Sequence, residues 1–275
     1  MPYDPMKELK RVTDYYNNDP LQKRFSAIIT GETNSGKTYI LRTARFPIHI
    51  DSFDPGGSKC LLDLIRNDSN LNGQIIVDTS WENEDPFTPT AFAEWMRTTN
   101  IRLNSGYFDM FGTYCLDSLT MFGKAAMNYQ LNLHQRPGEV PQHRHDYNPQ
   151  KVYIENYVRK LMNLSCDFIV TGHLREIEEL RHVDKSTGVK TYDTKYRLYI
   201  TGQAVITIPL LFDELYVIVG KGNPPRREML IDSLGKYVAR SRLKQKGRLE
   251  AIEKPDIKEL LKKAGLAWED KPKIV

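Results

Sequence analysis

The chain predicts an α/β fold: a mostly parallel central sheet with helices on both faces and a β-ribbon, arranged around a phosphate-binding loop. Three observations carry this. The apolar run 25–30 is followed by Gly31-Glu32-Thr33-Asn34-Ser35-Gly36-Lys37-Thr38, which fits G-x-x-x-x-G-K-[ST] at every fixed position, and then by Tyr39-Ile40-Leu41, which open a helix. Strand-like apolar runs alternate with helix-patterned segments along the chain. Several of those runs end in polar residues, notably Asp54, Asp117 and His173, and a parallel sheet collects such ends along one edge.

The loop chemistry follows from its residue types. Glycines at 31 and 36 allow positive φ and close approach of backbone to a ligand. The amides from Glu32 to Tyr39 turn inward at an anion-favouring position, Lys37 reaches the β- and γ-phosphates, and Thr38 offers a hydroxyl to Mg²⁺. ATP and Mg²⁺ are therefore the expected ligands.

Composition bounds the rest. Of 275 residues, 40% are hydrophobic and 27% charged, ordinary values for a globular chain. No apolar run approaches membrane-spanning length and the first residues carry no signal-peptide pattern, so the expectation is a cytoplasmic protein without a membrane partner. Cys60, Cys115 and Cys166 are odd in number and far apart, and read as reduced thiols. The net charge is +4, but residues 236–275 hold twelve Lys/Arg against six Asp/Glu, leaving the remainder near neutral. A basic end on a neutral body suits a polyanion or a subunit contact, or simply a solvated helix face.

In order, residues 1–23 read as a short helix near 7–13 and a linker, 24–243 as the core, and 244–275 as a basic helical tail. Strands are expected at 46–50 and 74–79, and helices at 59–67, 89–103, 121–133 and 150–164. The run 112–117 is an apolar strand ending in Asp117, the Walker B pattern, whose carboxylate would hold Mg²⁺ through water beside Thr38. The proline-punctuated stretch 134–149 is a loop. His143, His145 and Asp146 lack a second ligand cluster at zinc spacing, so Arg136, Arg144 and Tyr147 are read as possible nucleic-acid contacts. The strand 167–173 brings His173 toward a γ-phosphate. Residues 174–200 alternate about a turn at 185–188 as a two-stranded ribbon, strands follow at 214–219 and 226–232, and 255–265 forms an amphipathic helix.

The segments GETNSGKT, IDSFDPGG, YCLDSLT, DFIVTGH, IPLLFDELYVI and GKYVARSR, within about residues 24–245, resemble phage-encoded RecA-core ATPases, including the ATPase-type phage single-strand annealing proteins (the Sak family). The resemblance implies a RecA-like P-loop NTPase core and an ATPase stimulated by DNA. It also implies a ring or filament of identical subunits, and single-stranded DNA as partner, with a single-stranded-DNA-binding protein beside it. It makes Asp117 the Walker B acid and His173 a sensor. It takes the water-orienting base from the strand end 51–54, where the family usually has Glu; Asp54 is the choice here, with Asp51, Glu82 and Glu84 as rivals. Arg240 and Arg242 would reach a neighbour's γ-phosphate, or form a solvated basic turn. The competing functions are a motor or loader subunit, a nucleotide-gated binding protein with little hydrolysis, and a small-substrate kinase.

Overall fold

The computed structural model describes residues 3–19, 24–142, 144–183, 185, 187–221 and 226–274. The first half of the chain runs α1 (Pro5–Asn18), β1 (Ser26–Gly31), α2 (Lys37–Ile40), β2 (Ile48–Ser52), α3 (Lys59–Asn67), β3 (Ile75–Asp78), α4 (Ala91–Asn104), β4 (Thr113–Asp117) and α5 (Leu119–Leu133). It continues with α6 (Tyr147–Leu161), β5 (Asp167–Val183), β6 (Lys190–Leu198), α7 (Ala204–Thr207), β7 (Glu214–Lys221), β8 (Arg226–Leu230), β9 (Arg240–Ser241), β10 (Ile252–Glu253) and α8 (Ile257–Ala264).

The fold is α/β, a central sheet flanked by helices. Its parallel strands lie in the order β3-β2-β4-β5-β1-β7. The sheet is mixed where a mostly parallel one was expected: β8 and β9 pair antiparallel with β7, and β10 pairs antiparallel with β8. The physical reason is local. Strands β7 and β8 follow each other with a short connection, which permits only antiparallel pairing.

Strands β1, β2 and β4 are buried along their whole length, as parallel strands covered on both faces must be. Alternate side chains then feed two separate cores. Ile28, Tyr114, Leu116, Phe168 and Val170 pack with Trp95 of α4, Phe122 of α5 and Val158 of α6. Ala27, Ile29, Ile48, Ile50, Cys115 and Ile169 pack on the other face with Leu41, Leu61 of α3 and Leu261 of α8. This parity decides which strand-end residues can meet the P-loop, because α2 lies on the second face.

Three expectations are corrected. Helix α1 is longer than 7–13 at both ends: it runs through Tyr16 to Asn18, and it starts early because Asp4 caps it, accepting from the amides of Met6 and Lys7, with Pro5 in the first turn. Helix α6 begins at Tyr147, inside the expected loop. The segment after 243, read as a basic helical tail, also contributes a strand and core side chains: β10 joins the sheet edge, and Leu249, Ile257, Leu260 and Leu261 are buried in the second core. Asp256 caps α8 by accepting from the Glu259 amide, and Gly265 ends it at φ 71°, so the helix is bounded by its own chemistry.

The expected ribbon is present. Strand β5 leaves the sheet without interruption and pairs antiparallel with β6 from Leu174↔Leu198 to Val183↔Lys190. Arg197–Glu179 and Arg181–Asp193 form ion pairs across it.

Candidate functional site

The C-terminal ends of β1, β4 and β5 converge on the loop between β1 and α2. Gly31 does not use positive φ; its role is close approach, since a Cβ there would stand 2.3 Å from Ser35 Oγ and 2.8 Å from the Ile218 carbonyl. Gly36 does use the left-handed region, at φ 100°, and Asn34 sits at φ 63°. Ser35 Oγ is buried without a hydrogen-bond partner among the described residues. Lys37 is 6% exposed, and its Nζ donates to the carbonyls of Gly31 at 3.1 Å and Glu32 at 2.8 Å. Burial lowers its pKa, while Asp117 and Asp54 act in the opposite sense.

The acid at the end of β4 reaches the loop. Thr38 Oγ1 donates to Asp117 Oδ2 at 2.7 Å, and Thr171 Oγ1, from β5, donates to Asp117 Oδ1. Burial raises the pKa of Asp117; the two threonine hydroxyls pull it down and the nearby Asp54 charge adds to the rise. Asp54 goes the other way. Burial would raise it, but hydrogen bonds from His173 and Ser118, together with Lys37, hold it below the ordinary carboxylate range. Ser118 Oγ donates to Asp54 Oδ1 at 2.7 Å, and His173 Nε2 lies 3.1 Å from Asp54 Oδ2. Two acids in one site are thus held on opposite sides of their usual pKa.

A cleft of about 840 Å³ opens over these groups, lined by Thr33, Gly36, Thr38, Tyr39, Asp54 and His173 among others. The donor set fits Mg²⁺ and a polyphosphate: hard oxygen ligands from Thr38 and Asp117, an orphaned Ser35 hydroxyl in a loop whose glycines leave no room for a Cβ, and a buried lysine. Glu32 is engaged otherwise. Its Oε1 accepts from Tyr237 OH at 2.9 Å, and the Tyr237 ring stacks on Tyr196 of the ribbon with centroids 5.2 Å apart. Burial and Glu32 push the Tyr237 phenol up to about 12.

The rival bases lie elsewhere. Asp51 is on the opposite face of β2 from Ile48 and Ile50. It is fully buried and accepts from Trp95 Nε1 at 2.8 Å, Tyr114 OH at 2.7 Å and Arg102 Nη1 at 2.9 Å, with His49 Nε2 at 2.9 Å. Although burial pushes its pKa up, His49, Arg102 and Tyr114 hold it at about 2. His49, Asp51 and Asp78 come together as metal ligands do, but Arg102 supplies the positive charge to both carboxylates. Glu82 anchors the loop after β2, accepting from Ser52 Oγ at 2.6 Å, the Gly56 amide at 2.8 Å and Ser58 Oγ at 3.0 Å. Glu84 accepts from Asn128 at 2.7 Å.

Arg240 and Arg242 are not brought to the loop. Arg240 pairs with Leu215 near the start of β7, at the opposite end of the parallel strands, and the Arg242 amide donates to the Glu214 carboxylate beside it. Arg240 Nη2 donates to the Pro209 and Phe212 carbonyls at 2.8 and 2.9 Å, and Arg242 pairs with Asp213 at 2.6 Å. In the 134–149 loop, Asp146 takes Arg136, His134 and the Gln142 amide as partners, while His143 lies outside the described residues.

Sequence reasoning missed three residues. Thr171 was within reach: it stands two positions before His173 on one strand and so shares its face. Ser118 follows Asp117 directly and was marked only by its place before α5. Arg227, which lines the cleft, is placed there by the antiparallel return of β8, a pairing with no local signal.

No protein-family model matches the chain, and no curated protein matches it. Solved structures do. A prototypical ATPase from the type III secretion system of pathogenic bacteria aligns at 14% identity and TM-score 0.43 over 83% of this chain and 56% of its own. The ATPase EscN, assembled with its central stalk EscO, from the enteropathogenic E. coli type III secretion system, aligns at 14% and 0.43 over 72% and 42%. Flagellar accessory protein FlaH from Methanocaldococcus jannaschii aligns at 16% and 0.39 over 78% and 79%. The chain thus spans about half the length of the first two. These are secretion and flagellar proteins, where the sequence resemblance had pointed to phage annealing proteins. No helix among the described residues is long and apolar enough to cross a membrane.

Proposed function

We propose that the chain binds and hydrolyses ATP and acts as a motor or loader subunit of an oligomeric assembly. The observation that carries the nucleotide reading is the Thr38–Asp117 hydrogen bond at 2.7 Å, beside a buried Lys37 in a glycine-bounded loop. Thr38 and Asp117 would hold Mg²⁺, which when bound neutralises phosphate charge. Lys37 binds the phosphates. Asp54 stays ionised, and it is our choice for the group that orients the attacking water and accepts its proton; His173, on its other oxygen, links that carboxylate to β5.

The test is phosphate release from ATP by the wild type, Lys37→Ala and Asp54→Asn. We expect both variants to fall to background, with Asp54→Asn still binding nucleotide. Wild-type turnover in Lys37→Ala would refute the assignment.

A second reading is action on single-stranded DNA in phage-type recombination or annealing, in the cytoplasm of a host, as a ring or filament. It rests on β5, which connects His173 to the ribbon in one strand. Against it, the ribbon interleaves Arg175, Arg181, Lys190, Lys195 and Arg197 with Glu176, Glu178, Glu179 and Asp193, a near-balanced surface where a DNA track is basic. Turnover measured with and without single-stranded DNA at low salt separates the readings. Stimulation that fades steeply with salt favours DNA; no response favours the motor or loader.

A further inference from the structure

We propose that Arg227 is a nucleotide clasp that grips the α,β-diphosphate from the antiparallel edge of the sheet. The inference rests on the nucleotide reading above and adds a residue that neither the P-loop pattern nor the strand-end acids predict. In the sheet, β8 runs antiparallel to β7, with Arg227 opposite Gly220; Ile218, two residues earlier in β7, is opposite Gly31 of β1. Arg227 therefore lies just past the strand position at which the P-loop begins.

The side chain closes that distance. A Cβ on Gly36 would stand 2.9 Å from Arg227 Nε and 3.0 Å from its Cζ. The glycine therefore serves two purposes. It supplies the left-handed turn of the loop, and it leaves the space in which a guanidinium rests directly against the loop backbone. Arg227 lines the same cleft as Lys37, Thr38, Asp54 and His173. Its guanidinium lies 5.7 Å from the centre of the Tyr39 ring, which also receives Arg42 at 4.3 Å. The ring contact holds a long, exposed side chain over the loop where it would otherwise extend into water.

The charges give the ligand its class. Lys37 and Arg227 are the two cations among the residues lining the cleft. Lys37 is buried on one side, turned to its own loop carbonyls. Arg227 is exposed on the other, makes no ion pair among the described residues, and offers a planar fork suited to two phosphate oxygens. Its place against Gly36 and Tyr39 assigns it to the phosphates that ATP and ADP share.

The experiment is equilibrium titration of ATP, ADP and AMP into the full chain with Mg²⁺, for wild type, Arg227→Ala, Arg227→Lys and Lys37→Ala, with melting temperature as the folding control. We expect Arg227→Ala to weaken ATP and ADP alike by about 10- to 100-fold and AMP far less, with Arg227→Lys restoring only part of the loss. Affinities of Arg227→Ala within twofold of wild type overturn the clasp while leaving the nucleotide reading intact. A loss confined to ATP, or one equal for AMP, overturns the assignment to the diphosphate. A wild type that binds no nucleotide, or a Lys37→Ala variant that binds as well as wild type, refutes the nucleotide reading itself and the clasp with it.

Discussion

Thr38 and Asp117 stand 79 positions apart in the chain and 2.7 Å apart in the fold, with Thr38 Oγ1 donating to Asp117 Oδ2. The strand ending in Asp117 is not the neighbour of the P-loop strand: β5 runs between them and contributes Thr171 to the other oxygen of the same carboxylate. Asp117→Asn keeps the shape but removes the charge. Nucleotide binding without Mg²⁺ should change little, while the gain in affinity on adding Mg²⁺ should fall by at least about tenfold. Titration of ATP with and without Mg²⁺ reads this directly.

Asp54 gives a kinetic prediction. Its pKa is held below the ordinary carboxylate range, so it stays ionised throughout the neutral range, and turnover should not decline on its account until the pH falls below about 4. Asp54→Asn should reduce kcat by about 10²- to 10⁴-fold with KM changed by only a few-fold. Glu82→Gln, by contrast, loosens the loop 53–58, and should raise KM as well as lower kcat. A kcat loss in Glu82→Gln with unchanged KM would transfer the base role to Glu82.

Asp51 gives a stability prediction. Asp51→Ala leaves Arg102, Trp95 Nε1 and Tyr114 OH without their acceptor in a buried position, and should cost about 3–5 kcal/mol. The pH sign follows from its pKa of about 2, below the usual 3.8: the stabilisation is fully present above about pH 4 and is lost as the pH falls toward 2. Urea unfolding between pH 5 and 2 should show a steep decline for wild type that is shallower in Asp51→Asn.

Arg240→Ala should lower stability by about 1–3 kcal/mol, because the carbonyls of Pro209 and Phe212 lose their donor, and should leave nucleotide affinity unchanged. Thermal melting and ATP titration of the one variant check both halves. A neighbour-directed role for Arg240 is separable from this by mixing Arg240→Ala with Lys37→Ala: recovery of turnover in the mixture would show an arginine acting between subunits.

The P-loop, the β4 acid and the β5 histidine were legible because each is a local pattern at the end of an apolar run. Strand parity could also have removed Asp51 as a base, since Ile48 and Ile50 share the P-loop face and Asp51 must point away from it. What was illegible depends on distant pairing. Arg227 reaches the cleft only because β8 folds back on β7. The packing of 249–264 accompanies the pairing of β10 with β8, which no local pattern announces, so its basic residues read only as a helical tail. The place of Arg240 and Arg242 within the chain was illegible for the same reason: β9 pairs at the start of β7, and sequence distance from the P-loop carries no information about which end of a strand is met.

Strand β5 has 17 residues, and from His173 to Val183, along the ribbon, it extends about 33 Å at the ordinary rise of a strand. His173, at the boundary, is tied to Asp54, and Tyr196 of the paired strand meets the P-loop through Tyr237 and Glu32. Both strands of the ribbon are thus anchored at the site. One degree of tilt at His173 sweeps the far end of the ribbon through about 0.6 Å at that arm length. Ten degrees would carry it through about 6 Å, the length of a long side chain.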